Sequence, residues 1–227
     1  MLANIPNFLT LCNLACGCYG IVAVFRGDMH MGSMMIWAGA LFDFLDGFAA
    51  RMMKKYSSIG KDLDSLADLV TFCFLPATIL FMQVEQNSNS TIFPYFGYLL
   101  VIFGALRLAK FNNDTRQGEF FYGLPVPAAG IFVSGLPYLA MINNNIITSA
   151  ISNQYVLIAI AILLSALMVS DFKLMSLKFS DFKIKGNWQR YLLLLSSLIL
   201  LLFWQFAALP AIISLYLVLS MALNIAD

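Results

Sequence analysis

Runs of roughly twenty apolar residues, broken by short polar loops, recur along the whole chain. A helix of about 20 residues spans the hydrocarbon core of a bilayer. Within lipid the backbone must satisfy its own hydrogen bonds, and a helix does so inside each segment. The chain is 61% hydrophobic and 11% charged, with a mean hydropathy of +0.83. A soluble domain is closer to about half apolar and a quarter charged. The expected fold is therefore an all-α polytopic membrane bundle, one domain over residues 1–227.

Eight apolar segments are read, at 8–25, 31–51, 62–83, 93–111, 124–143, 151–169, 190–206 and 208–225. The last two come from one stretch too long for a single helix, with the turn expected at Gln205 and Pro210 in the first turn of the final helix. Of the 13 basic residues, only Arg26 lies away from the second, fourth and sixth loops and the segment ends that border them. Cytoplasmic loops carry the excess of Lys and Arg, so these three loops and both termini are expected inside. The loop at 171–189 mixes Phe, Leu and Met with lysines. It reads equally as an interfacial amphipathic segment or as a solvated basic loop. Residues 1–7 lack the basic stretch of a secretory signal, so the first segment is expected to be retained. A net charge of +1 implies no bulk attraction to nucleic acid.

Set into this apolar background are four carboxylates: Asp43 and Asp46, three apart, then Asp64 and Asp68, four apart. Both spacings place a pair on one helix face. Two such faces opposed across a short loop form an oxygen cage suited to hard divalent cations. Carboxylates in membrane segments are costly and mark functional sites. Two cations in such a cage can clamp a diphosphate and stabilise charge on attacking and leaving oxygens. Asp43, Asp46 and Asp64 can act as ligands; the fourth carboxylate can do the same or accept a proton. Gly47 leaves room for a phosphate or sugar to approach, and the planar fork of Arg51 suits phosphate oxygens. Ser57 and Gly60 offer further polar contacts. A proton relay, or a buried ion pair with Arg51 or Lys61, is the alternative for one isolated pair.

Cys12, Cys16, Cys18 and Cys73 all fall in apolar segments, with one histidine in the chain and no CxxC pair. They are read as buried small hydrophobes and not as metal ligands or a disulfide framework. His30 lies in the short polar loop Arg26–His30 and is expected to be solvated.

The string DFLDGFAAR, then eight residues, then GKDLDSLAD resembles the signature of the CDP-alcohol phosphatidyltransferase family, with every specified position present. Members are membrane enzymes in which an alcohol displaces CMP from a CDP-linked lipid. The resemblance implies that Asp43, Asp46 and Asp64 are metal ligands and that Asp68 is both a ligand and the general base. It places Gly47, Ala50 and Arg51 along the CDP site, with Ser57 near the phosphates. The family's N-terminal element is similar to Pro6-Asn7-Phe8-Leu9-Thr10, then Asn13, which makes Asn7 and Thr10 candidate nucleotide contacts.

A second stretch runs from Arg107-Leu108-Ala109-Lys110-Phe111-Asn112 to Phe121-Tyr122-Gly123-Leu124-Pro125-Val126-Pro127. It resembles the same region in bacterial and archaeal members whose acceptor is serine. Transfer of the phosphatidyl group from CDP-diacylglycerol to L-serine is therefore implied, with two divalent cations, Mg²⁺ or Mn²⁺. The resemblance also implies a homodimer, and the basic loops put the site on the cytoplasmic side of the inner membrane. Arg107 and Lys110, one turn apart, either bind the serine carboxylate or anchor their helix at the lipid headgroups. The GLPxP run also has the form of a helix start. The alternatives are a sister enzyme using glycerol 3-phosphate or an inositol and, more remotely, a cation or proton transporter, which would hold its carboxylates near the midplane.

Overall fold

The computed structural model describes residues 5–53, 58–113, 121–142, 145–175 and 184–226. The described chain is helical apart from loops and one two-residue strand pairing. Helix α1 (Ile5–Phe25) turns back through Gly27 into α2 (Met29–Met53). Asp28 caps α2, its Oδ1 accepting from the Met31 N–H at 2.8 Å. These two helices form the most extensive packed pair. Their contact follows from one face of α1: Pro6, Thr10, Asn13, Gly17, Gly20, Ala23 and Val24 are its buried positions, at helical spacing.

After the second loop, α3 (Ser58–Asp68) runs into a π-helical turn (Leu69–Phe74) and on into α4 (Leu75–Asn87). The Leu75 N–H donates to the Val70 carbonyl, five residues back, which is the widened turn itself. Pro76, with no N–H to give, follows directly. The turn carries Thr71 between α1 and α2. A Cβ added at Gly17 would lie 2.5 Å from Thr71 Oγ1, and one at Gly39 would lie 2.4 Å from Thr71 Cγ2. Only glycine permits this approach at either position.

A 3-10 turn (Phe93–Tyr98) leads to α5 (Leu99–Asn113). Strand β1 (Phe121–Tyr122) later pairs antiparallel with β2 (Lys173–Leu174). Between them lie α6 (Val126–Ser134), α7 (Leu136–Leu139), α8 (Asn145–Ile151) and α9 (Gln154–Val169). Pro125 is the extended N-cap of α6 and Pro127 sits in its first turn, so GLPxP is a helix start. Gly123 has φ 72° and packs against the Met168 and Ser170 carbonyls, where a Cβ would come within 2.5 and 2.8 Å. The chain ends in α10 (Ile184–Trp204), a 3-10 turn (Gln205–Ala208) and α11 (Leu209–Ala226). Gln205 takes φ 47°, so the break falls where the sequence placed it, with Pro210 in the first turn that follows. Tyr216 Oη donates to the Met175 carbonyl and the Met175 N–H donates to Ser220 Oγ, tying α11 to the segment after β2.

Among the described residues, five apolar helical stretches are long enough to cross a membrane: Ile5–Phe25, Met29–Met53, Ile59–Asn87, Phe93–Asn113 and Asn187–Ala222. Val126–Leu139 and Gln154–Val169 are apolar but shorter. The core is built around the α4 segment, where Leu75, Ile79 and Leu80 meet Phe72, Leu100 and Leu157.

Two expectations change. His30 is not solvated: it lies in the first turn of α2, half-buried, its ring edge-on to Tyr138 at 4.7 Å. Helix formation from Met29 turns it inward toward an aromatic group in which Trp37 stacks on Phe206 at 4.0 Å. The cysteines are all free, but only Cys73 is buried; Cys18 is exposed, on the face of α1 away from α2.

Candidate active site

The two acidic pairs meet. Among the described residues, Asp43 from α2 and Asp64 and Asp68 from α3 each bring a carboxylate oxygen within 4.8 Å of the other two. Helical spacing aligns each pair, and the packing of α1 against both α2 and α3 closes the gap between them. Three converging anionic oxygens are a hard donor set. Asp64 Oδ1 is buried and has no hydrogen-bond partner among the described residues. An orphaned buried carboxylate oxygen costs free energy, and a divalent cation satisfies it. The residues therefore fit such an ion.

Asp46, also buried, stands beside this group, and its Oδ2 accepts from Thr10 Oγ1 at 2.6 Å. Asp68 Oδ1 accepts from Asn13 Nδ2 at 3.3 Å. Asn13 was visible in the sequence as part of the N-terminal element without a role of its own. The available signal was its three-residue step from Thr10, which puts both on the buried face of α1. Thr71 Oγ1 donates to the Asn13 carbonyl at 2.9 Å, holding the backbone there.

Of the candidate CDP contacts, Gly47 directly follows Asp46 in α2, with Ala50 and Arg51 one turn further on. A Cβ at Gly47 would meet Arg51 Nη1 at 3.9 Å, an ordinary contact, so Gly47 leaves open space beside Asp46. Arg51 is exposed, and Ala50 and Asn7 are partly exposed. Ser57 lies outside the described residues, as do Arg116 and Glu119. Lys61 does not pair with the aspartates: its Nζ donates to the Asn112 carbonyl at 2.7 Å, and Asn112 Nδ2 donates to Ser65 Oγ.

The two candidate carboxylate binders separate. Arg107 is buried, its Nε donating to the Leu124 carbonyl at 3.2 Å and its guanidinium 4.8 Å from the Phe111 ring centroid. It lies within electrostatic range of Asp68. Lys110 points away into an exposed ion pair with Asp171, at 2.8 Å.

Acidic pairs from two apolar helical stretches thus meet in one carboxylate cluster of the kind that can hold a metal ion. Residues 3–167 match the CDP-alcohol phosphatidyltransferase family, and the chain belongs to it. The CDP-diacylglycerol–serine O-phosphatidyltransferase of Helicobacter pylori strain 26695 is 30% identical over 215 residues, covering 94% of this chain and 87% of that one. The enzyme of the same name from Bacillus subtilis is 35% identical over 131 residues, 56% of this chain and 71% of that one. The archaetidylserine synthase of Methanothermobacter thermautotrophicus is 31% identical over 162 residues, 70% and 66% of the two chains.

Proposed function

We propose that this protein transfers the phosphatidyl group of CDP-diacylglycerol to L-serine, forming phosphatidylserine and releasing CMP. The observation that carries the reading is the convergence of Asp43, Asp64 and Asp68 within 4.8 Å, in a chain whose relatives are named for the serine reaction. Asp43, Asp46, Asp64 and Asp68 hold two divalent cations, Mg²⁺ or Mn²⁺. Bound there, the cations neutralise charge on the diphosphate. Asn7, Gly47, Ala50, Arg51 and Ser57 receive the CDP moiety, with Arg51 supplying a fork for phosphate oxygens.

Asp68 takes the proton of the serine hydroxyl. The serine oxygen then forms a bond to the phosphorus carrying the diacylglycerol, and the bond from that phosphorus to CMP breaks. No nucleophilic side chain of the protein is needed. Arg107 is assigned to the serine carboxylate. Burial strengthens such a pairing, and the Leu124 carbonyl and Phe111 ring fix the guanidinium while leaving its two amino groups for a ligand. Lys110 is engaged by Asp171 and is the weaker candidate.

The whole chain, residues 1–227, acts as one domain in the inner membrane and works as a homodimer. Counting the two shorter apolar helices and dividing Asn187–Ala222 at Gln205 gives eight spans. The basic loops then place both termini and the site on the cytoplasmic side.

The deciding experiment uses purified protein in detergent with CDP-diacylglycerol and Mn²⁺, and measures CMP release with serine, glycerol 3-phosphate or inositol phosphate. Serine-dependent release, lost in EDTA and restored by Mn²⁺, is expected. Turnover of glycerol 3-phosphate without serine would assign the sister activity. For topology, a single cysteine at position 55 in a cysteine-free background should label from the cytoplasmic side; labelling from outside inverts the arrangement.

A further inference from the structure

Helix α1 contributes no carboxylate, yet it touches both acidic pairs through two side chains one turn apart. Thr10 reaches Asp46 of the first pair and Asn13 reaches Asp68 of the second. The Thr10 hydroxyl has one proton and two acceptors in range, the Pro6 carbonyl at 3.1 Å and Asp46 Oδ2 at 2.6 Å. The shorter contact to the charged oxygen takes it. The proton of that hydroxyl is therefore committed to Asp46, which leaves only its lone pairs for any further contact.

Asn13 is fully buried, and its Oδ1 has no hydrogen-bond partner among the described residues. It faces Gly39, where an added Cβ would stand 2.9 Å away. An amide with one end orphaned in an apolar surrounding is costly. An apolar side chain would fill the same space without that cost. What the amide adds is the donor on Asp68, and rotating it by half a turn would set Oδ1 against a carboxylate. Thr71 and the close approach of Gly17 and Gly39 hold the Asn13 backbone, so the amide cannot drift.

We propose that Thr10 and Asn13 are positioning residues: α1 acts as a ruler that orients Asp46 for cation binding and Asp68 for proton removal. Each residue occupies one oxygen of its carboxylate, Asp46 Oδ2 and Asp68 Oδ1, and leaves the other for a ligand. This rests on the reaction proposed above, but cation binding tests it independently.

Three measurements on the full-length protein in detergent decide it: Mn²⁺ binding without substrate, followed by electron paramagnetic resonance; steady-state CMP release; and thermal stability. Thr10→Val keeps the shape and removes the hydroxyl. It should weaken Mn²⁺ binding about tenfold, the scale of one charge-assisted hydrogen bond, and Thr10→Ser should restore it. Asn13→Asp is isosteric and replaces the donor with a repelling oxygen. It should lower kcat about ten- to a hundredfold while the KM for CDP-diacylglycerol stays within about twofold. Asn13→Ala, which adds no charge, should lower kcat in the same direction.

Unchanged Mn²⁺ affinity in Thr10→Val, with a raised KM for CDP-diacylglycerol, would return Thr10 to the nucleotide and overturn its positioning role. Wild-type kcat in a folded Asn13→Asp or Asn13→Ala would remove Asn13 from the orientation of Asp68. If the wild type releases no CMP with any acceptor, the proposed reaction fails, while the Mn²⁺ titration of Thr10→Val still decides the ruler.

Discussion

The α3–α4 rod and the α10–α11 stretch are both long and apolar, and they are used in opposite ways. Of the apolar window in Ile59–Asn87, 56% is buried inside the protein; in Asn187–Ala222 the share is 17%. The second stretch is nevertheless the more hydrophobic. In water the order would be reversed. Lipid tails are as apolar as leucine, so hydropathy here marks what faces lipid, and helices associate through close packing and hydrogen bonds. The rod is buried because Thr71 and Asp68 find partners on α1 and because Gly17 and Gly39 let backbones approach. The leucines of α10, such as Leu195, Leu198 and Leu202, need only lipid and stay exposed.

Substitutions should separate these regions sharply. The largest effect belongs to the rod. Asp64→Ala, like Asp43→Ala and Asp46→Ala, should cut CMP release by at least about a thousandfold in a folded, membrane-inserted protein, because several kcal/mol of charge stabilisation goes with the cation. Substantial turnover in Asp64→Ala, or in EDTA with no divalent cation present, would break the metal assignment.

Asp68→Asn comes next. The amide keeps the size and one acceptor oxygen but cannot take a proton at neutral pH. CDP-diacylglycerol binding should persist while the rate falls below about a tenth of wild type, a loss above about 1.4 kcal/mol. A faster variant would move the base elsewhere.

Within α5, Arg107→Ala should raise the serine KM roughly ten- to a hundredfold, the range of a charge-assisted hydrogen bond, with little change for CDP-diacylglycerol. It should also weaken discrimination against ethanolamine, which lacks the carboxylate. Lys110→Ala loses only an exposed ion pair and should change the same constant less than about fivefold. Equal effects from both would dissolve the distinction between the buried and the exposed cation.

The smallest effect is expected in α10. Leu198→Ala should leave activity and thermal stability within about twofold and a few degrees, as for an exposed substitution. A marked loss there would place a protein surface, such as the second copy of a dimer, where lipid is assigned.

Much of this architecture is legible in local patterns. Apolar run length locates the helices, DxxD and DxxxD align each acidic pair, GLPxP opens α6, and Gln205 with Pro210 marks the last break. These are one-dimensional consequences of helix pitch, bilayer thickness and proline chemistry, so no distant residue is needed to read them. Other features required the third dimension. Lys61, Arg107 and Lys110 are all cations that the sequence offers to the site, yet a carbonyl of α5 takes the first, the Leu124 carbonyl fixes the second and Asp171 takes the third. His30 faces an aromatic ring contributed from residue 138, far along the chain. The contacts of Thr10 with Asp46 and of Asn13 with Asp68 exist only because α1 lies across both acidic pairs. The sequence alone thus determined that the chain is helical, apolar enough for a membrane and equipped with two aligned carboxylate pairs, because those properties depend on spacing along one helix. Only the tertiary structure decided which side chains meet those carboxylates and which cation stays buried beside them, because contacts between helices depend on where small residues let the backbones close.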